Sequence, residues 1–188
     1  MARTPQDEFV LVRPTKRSRS LNEVHRVSPM DDVMPRSYIQ VVFVYQRLPP
    51  GGADALRASL AATLNQFPYL TGKMSLRADN GWQVTVSDEG FPWSVEESSM
   101  KITDMRSAQS ASGEALYDYH TLPKSVFPDQ SKFIVERARP NGGGTEKVWY
   151  CGGVKLTAFA CGGFCLGVLL HHSISDADGF FHFMSTWS

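Results

Sequence analysis

The sequence carries no surplus of charge of either sign: lysine and arginine number 19, aspartate and glutamate 19, and the formal net charge at pH 7 is zero. Without a broad field of one sign there is little to draw in a nucleic acid or an anionic membrane surface, so neither is expected as a partner. Long apolar runs are missing as well. No stretch approaches the roughly 18 apolar residues of a membrane span, and residues 1–19 hold no apolar segment of signal-peptide length, which reads as a soluble, cytoplasmic protein. Cysteine is scarce and odd in number. Cys151, Cys161 and Cys165 lie in apolar surroundings, a poor pattern for a disulfide framework or a metal site, and they read as core thiols. Asn141-Gly142-Gly143-Gly144 lacks the lysine and Ser/Thr that complete a phosphate-binding P-loop and reads as a flexible loop. The basic run Lys16-Arg17-Ser18-Arg19 is short enough to be a solvated arm.

What remains is a chain of 188 residues, 42% hydrophobic, long enough for one core and therefore read as one domain spanning residues 1–188. Phe9 to Val12 reads as an edge strand, and the prolines and aspartates of Ser28-Pro29-Met30-Asp31-Asp32 as a turn. Tyr38 to Tyr45 is rich in β-branched and aromatic residues and reads as a strand buried on both faces. Leu56, Leu60 and Leu64 recur every four residues, which predicts a helix over Ala53 to Gln66 that Pro68 ends. Lys73 to Ala78 and Trp82 to Val86 flank Asp79-Asn80-Gly81, a hairpin signal. The stretch Met100 to Phe127 has no strong period, with a helix placed around Gly113 to His120. From Val148 to Leu170 small and β-branched residues dominate, and Cys161-Gly162-Gly163 divides the run into two strands joined by a tight turn. Strands mixed with at least two helices give an α/β or α+β class.

The chemistry concentrates after the last strand, in His171-His172-Ser173-Ile174-Ser175-Asp176-Ala177-Asp178-Gly179-Phe180, followed by an amphipathic tail from Phe181 to Trp187. Two histidines and two carboxylates lie within eight residues. The strand should deliver His172 to the sheet edge, and the next turn can fold Asp176 back toward the histidine backbone or ring. A neutral imidazole accepts and returns a proton near pH 7. For a bare His-x-x-x-Asp, however, packed histidines and helix-capping aspartates are the stronger reading.

The surroundings change that balance. The run Gly162 to His172, ending in Asp176 and Gly179-Phe180, resembles the segment leading into the catalytic His-x-x-x-Asp of BAHD-type acyl-CoA-dependent acyltransferases. Ser28-Pro29-Met30-Asp31 with Pro35-Arg36-Ser37-Tyr38 is similar to that family's N-terminal Ser-Pro-x-Asp segment, and LRASLAATLNQFPYLTG, from Leu56 to Gly72, to its first helix and following strand. The flavour is similar to fungal trichothecene 3-O-acetyltransferase-like proteins. The resemblance implies an α/β domain, a mixed β-sheet flanked by helices, as one half of a two-domain, chloramphenicol-acetyltransferase-like fold with a channel between the halves.

By the same resemblance His172 is the general base, Asp176 is structural and orients the loop, and Gly179 lets the backbone turn closely into the last helix. His171, wrongly spaced from Asp176, is an accessory candidate. Acyl-CoA would be a co-substrate, no cofactor would be bound permanently, and the acceptor would be a small secondary metabolite with a hydroxyl or amine. Ala177 stands where the common pattern has glycine, and these 188 residues contain no Asp-Phe-Gly-Trp-Gly, the family's second motif. A lone half should therefore be a poor catalyst, with an apolar face that favours self-association or docking to a second domain. Two other readings stand beside this one: the first half of a nonribosomal peptide condensation domain, whose His-His-x-x-x-Asp-Gly motif is similar, and a non-catalytic remnant acting by association.

Overall fold

The computed structural model describes residues 9–105, 108–109, 115–116, 122–139 and 143–188. Strand β12, Phe164–His171, is buried along all eight of its residues, and its alternation explains why. Phe164, Leu166, Val168 and Leu170 point into the main core, while Cys165 and Leu169 enter smaller cores on the opposite face. A strand with apolar residues on both faces belongs inside a sheet covered on both sides.

That sheet runs in the order β1 (Val10–Val12), β6 (Phe91–Ser98), β11 (Gly152–Phe159), β12 and β3 (Tyr38–Tyr45). Only β6 and β11 pair in parallel; β1, β12 and β3 join antiparallel. A second five-stranded sheet, antiparallel throughout, has the order β2 (Val24–Arg26), β5 (Trp82–Thr85), β4 (Lys73–Leu76), β10 (Thr145–Tyr150) and β9 (Ile134–Ala138). Helix α2, Gly52–Thr63, and helix α3, Ala177–Trp187, pack on the main core through Leu60, Phe180, Phe183 and Trp187. The Trp187 indole N–H donates to Ser59 Oγ at 2.9 Å and ties the two helices together. The expected mixed α/β architecture is therefore present, as two sheets with flanking helices.

Several expectations need correction. Tyr38 to Tyr45 is a strand to the residue, but it is a sheet edge. Both its faces touch core clusters, yet none of its residues is fully buried, because among the described residues no strand covers its outer side. The turn at Pro29 is one helical turn, α1 (Pro29–Asp32), since Ser28 caps the Asp31 amide and Pro29 presets the first helical residue. The run from Val148 to Phe159 is not one strand. It breaks at Cys151, where the chain leaves the second sheet for the first. Within the β4–β5 hairpin, Asn80 supplies a positive φ of 64° but Gly81 does not. Of the helix placed around Gly113 to His120, residues 113–114 and 117–120 lie outside the described residues. Ala115–Leu116 forms a short strand, β8, paired with β7 (Ala108–Gln109). Asn141 and Gly142 also lie outside the described residues.

The Ser-Pro-x-Asp segment has a physical role in this arrangement. Asp32, which follows it, accepts the Trp82 backbone N–H at 2.6 Å and pairs with Arg77 at 3.2 Å, which pins α1 to the start of β5. Truncation in Asp32→Ala leaves the Trp82 amide, within a buried residue, without its acceptor. The expected loss is about 2 kcal/mol in urea unfolding, with most of it recovered in Asp32→Asn, which keeps an acceptor oxygen; equal losses in both variants would contradict the role.

Candidate active site

Strand β12 ends in a loop whose first three amides are each held by a different partner. The His171 N–H donates to the Cys151 carbonyl at 2.8 Å, and the His172 N–H to the Ser37 carbonyl at 2.9 Å. The Ser173 N–H donates to Nδ1 of the His171 ring at 3.2 Å. The His171 carbonyl then accepts the amides of Ile174 and Ser175, which closes the loop into a tight turn. His172 is thus fixed by the backbone on both sides.

The two rings occupy different surroundings. His171 is 1% exposed and lies between the rings of Tyr38 and Trp82, with centroids 5.2 and 5.1 Å away and edge-to-face geometry. Burial, reinforced by the neighbouring His172 and Arg36, pushes its pKa down to about 4, so it is neutral at physiological pH. The His172 ring is half-buried, with Nδ1 enclosed and without a hydrogen-bond partner among the described residues; the Ser173 hydroxyl is likewise enclosed and unpartnered.

Asp176 does not turn back onto the histidine. Its Oδ1 accepts the Gly179 N–H at 2.8 Å, and its carbonyl accepts the Phe180 amide, so it is the N-cap of α3. The side chain is exposed, and no hydrogen bond joins it to His172 among the described residues. Helix capping, the plainer reading of this aspartate, is what the sequence Asp176-Ala177-Asp178-Gly179 encodes. Gly179 is also placed differently from expectation. Its φ is not positive, and it lies inside the first turn of α3, where an added Cβ would come within 2.8 Å of Ser175 Oγ. Close approach, rather than a turn, favours glycine there.

Cys151 and Cys165 are buried thiols, with burial pushing their pKa values up to about 12 and 11. Cys161 departs from the expected core position. It sits exposed at the β11–β12 turn, where the backbone N–H groups of Ile102 and Gly163 lower its pKa. Among the described residues no cluster of three or more His, Cys, Asp or Glu side chains could hold a metal ion, and no helix is long and apolar enough to cross a membrane.

An apolar groove of about 1200 Å³ opens between β3, the start of β12, α2 and the end of α3, with Phe43, Tyr45, Leu166, Phe181, Met184 and Trp187 among its walls. From its Leu166 wall to His172 the chain runs roughly 20 Å, while its Phe181 wall lies about one turn into α3.

Residues 10–188 match the model of the Transferase family. The chain belongs to this family, the BAHD-type acyltransferases. It is 22% identical over 184 residues to stemmadenine O-acetyltransferase of Catharanthus roseus, an alignment covering 95% of this chain and 39% of that protein. To putrescine hydroxycinnamoyltransferase 2 of Oryza sativa subsp. japonica it is 28% identical over 170 residues, covering 86% and 48%. In fold it is similar to vinorine synthase, with a TM-score of 0.69 at 22% identity over 95% of this chain and 40% of that one. It is also similar to F. sporotrichioides TRI101 complexed with coenzyme A and T-2, with a TM-score of 0.52 at 17% identity over 87% and 40%. The chain therefore spans about two-fifths to one-half of the length of these relatives.

Two measurements follow from the site. The unfolded chain protonates its histidines near pH 6.5, whereas folded His171 resists until about 4, so stability falls as pH drops through that window, by roughly 3 kcal/mol. Urea unfolding at pH 7.5, 5.5 and 4.5 should show this drop, and His171→Phe should flatten it. Alkylation of the native protein should label Cys161 first, with Cys151 and Cys165 reacting only after unfolding; labelling of either buried thiol at the same rate would contradict the packing.

Proposed function

We propose that this chain is the histidine-bearing, N-terminal domain of an acyl-CoA-dependent acyltransferase, with His172 as its general base. The observation that carries the reading is the anchoring of His172 at the buried end of β12, with one ring nitrogen enclosed and the ring partly open, in a chain of this family. With Nδ1 enclosed, Nε2 is the nitrogen left to meet an acceptor. It takes the proton from a hydroxyl or amine, and the freed lone pair attacks the thioester carbonyl of acyl-CoA. The tetrahedral intermediate collapses by breaking the carbon–sulfur bond, and the proton on His172 passes to the departing CoA thiolate, which regenerates the neutral ring.

We assign the acceptor to small secondary metabolites, because the relatives are named for transfer to a hydroxyl in stemmadenine and to the amine putrescine. Asp176 takes a structural part by starting α3, and Gly179 supplies the N–H it caps. Acyl transfer needs the donor thioester oriented and its developing negative charge stabilised. These requirements are assigned to a second unit, matching the remaining length of the relatives, so the 188 residues alone should be slow. The family match favours this reading over the first half of a peptide condensation domain.

The deciding experiment is CoA thiol release from acetyl-CoA with a panel of alcohols and amines, comparing the chain with His172→Ala. Acceptor-dependent release that falls about 100-fold or more in the variant supports the base assignment. Acceptor-dependent release unchanged by the substitution would overturn it.

A further inference from the structure

His171 is the better-anchored of the two histidines, and its carbonyl and ring nitrogen both act on the loop that carries its neighbour. Its N–H is held by Cys151, its carbonyl holds Ile174 and Ser175, and its ring nitrogen holds Ser173. A ring nitrogen can accept an N–H only when it bears no proton, so the bond to Ser173 requires Nδ1 bare, with any ring proton on Nε2. Tyr38 from β3 and Trp82 from β5 fix the ring plane edge-to-face. Tyr38 is itself tied down by its hydroxyl, which donates to the Tyr150 carbonyl at 2.7 Å.

From this geometry we infer that His171 is a positioning residue: its unprotonated Nδ1 bridges across His172 to the Ser173 amide and so sets the direction of the His172 ring. This rests on the reading of His172 as the base for its catalytic consequence, but the bridge itself stands on geometry alone. A cyclic link from side chain i to amide i+2 leaves the intervening residue little freedom, which is the local equivalent of an Asx turn. Burial keeps the ring neutral, and the charged and titratable groups around it act in the same direction. Arg36 and His172 oppose a further positive charge, and Tyr38 and Cys151, both with pKa values raised by burial, add no negative one.

Two variants test the bridge. His171→Phe keeps an aromatic ring between Tyr38 and Trp82 and removes the acceptor; His171→Asn places an oxygen near the position of Nδ1 and removes the ring. Amide exchange measured by NMR reads the Ser173 N–H directly, with the Leu169 amide inside β12 as reference. His171→Phe should speed exchange at Ser173 by about 5–10-fold relative to Leu169, the worth of one hydrogen bond, and His171→Asn should restore it. In the thiol-release assay, in a form of the enzyme that turns over, His171→Phe should lower kcat with KM little changed, and Asn should rescue it.

Unchanged Ser173 protection in His171→Phe would overturn the inference. If that variant does not fold, His171→Asn decides: retained protection supports the bridge and lost protection overturns it. Faster exchange in His171→Phe together with activity indifferent to His172→Ala would leave the bridge in place and remove the base assignment instead.

Discussion

The interaction on which the rest depends is the hydrogen bond from the His171 amide to the Cys151 carbonyl. Cys151 is where the chain passes from one sheet to the other, so the same peptide that joins the two sheets also holds the end of β12. The crossing is narrow. An added Cβ on Gly152 would lie 2.2 Å from the Leu169 carbonyl oxygen, so only glycine allows β11 to begin this close to β12. The Cys151 thiol is buried and points at the Gly72 carbonyl at 3.9 Å, and the Tyr38 hydroxyl reaches the adjacent Tyr150 carbonyl. Any shift in register at the crossing would move the histidine loop with it.

Rigidity at that point comes from burial on every side. The two faces of β12 enter different cores, so a slip of one residue would exchange Leu166 and Val168 for Cys165 and Gly167 in the main core. The second sheet contributes a buried charge nearby: Lys73 is 3% exposed, 2.7 Å from Glu89 and 3.9 Å above the Tyr150 ring. Burial would raise the Glu89 pKa, but the ammonium of Lys73 outweighs it and holds the carboxyl below its usual value. Such a pair adds less to stability than its Coulomb energy suggests, yet breaking it would leave a charge stranded beside the crossing.

Much of this was legible in the sequence where the signal is local. The bounds of β3 follow from a run that is β-branched or aromatic at every position but Gln40, α2 from leucines four apart, and the α3 cap from an aspartate three residues before a glycine. What could not be read was set by distant partners. Trp149, Tyr150, Cys151 and Gly152 form one smooth apolar stretch, and only the separate pairing of β10 with β4 and of β11 with β12 cuts it in two. The half-exposure of β3 depends on its position in the sheet order, which no pattern within Tyr38 to Tyr45 encodes. The turn at Cys161-Gly162-Gly163 was itself legible, and it is this hairpin position, against the buried habit of the residue type, that leaves Cys161 exposed. The packing of His171 between Tyr38 and Trp82 joins three segments more than 40 residues apart in sequence, and a lone histidine carries no mark of it.

The two adjacent histidines show why residue type alone does not assign a role. One ring is sealed between aromatic rings, neutral, and committed to a backbone amide; the other is partly open, and its backbone N–H is held by the Ser37 carbonyl. The same alternation of a strand that sends Leu170 into the core places consecutive side chains in opposite surroundings. The apolar groove runs along α3 from Phe181, about one turn into the helix, to Trp187 at its end. The groove offers apolar area and the histidine loop a partly open ring, and α3 links them, with Asp176 capping the helix whose Phe181 lines the groove.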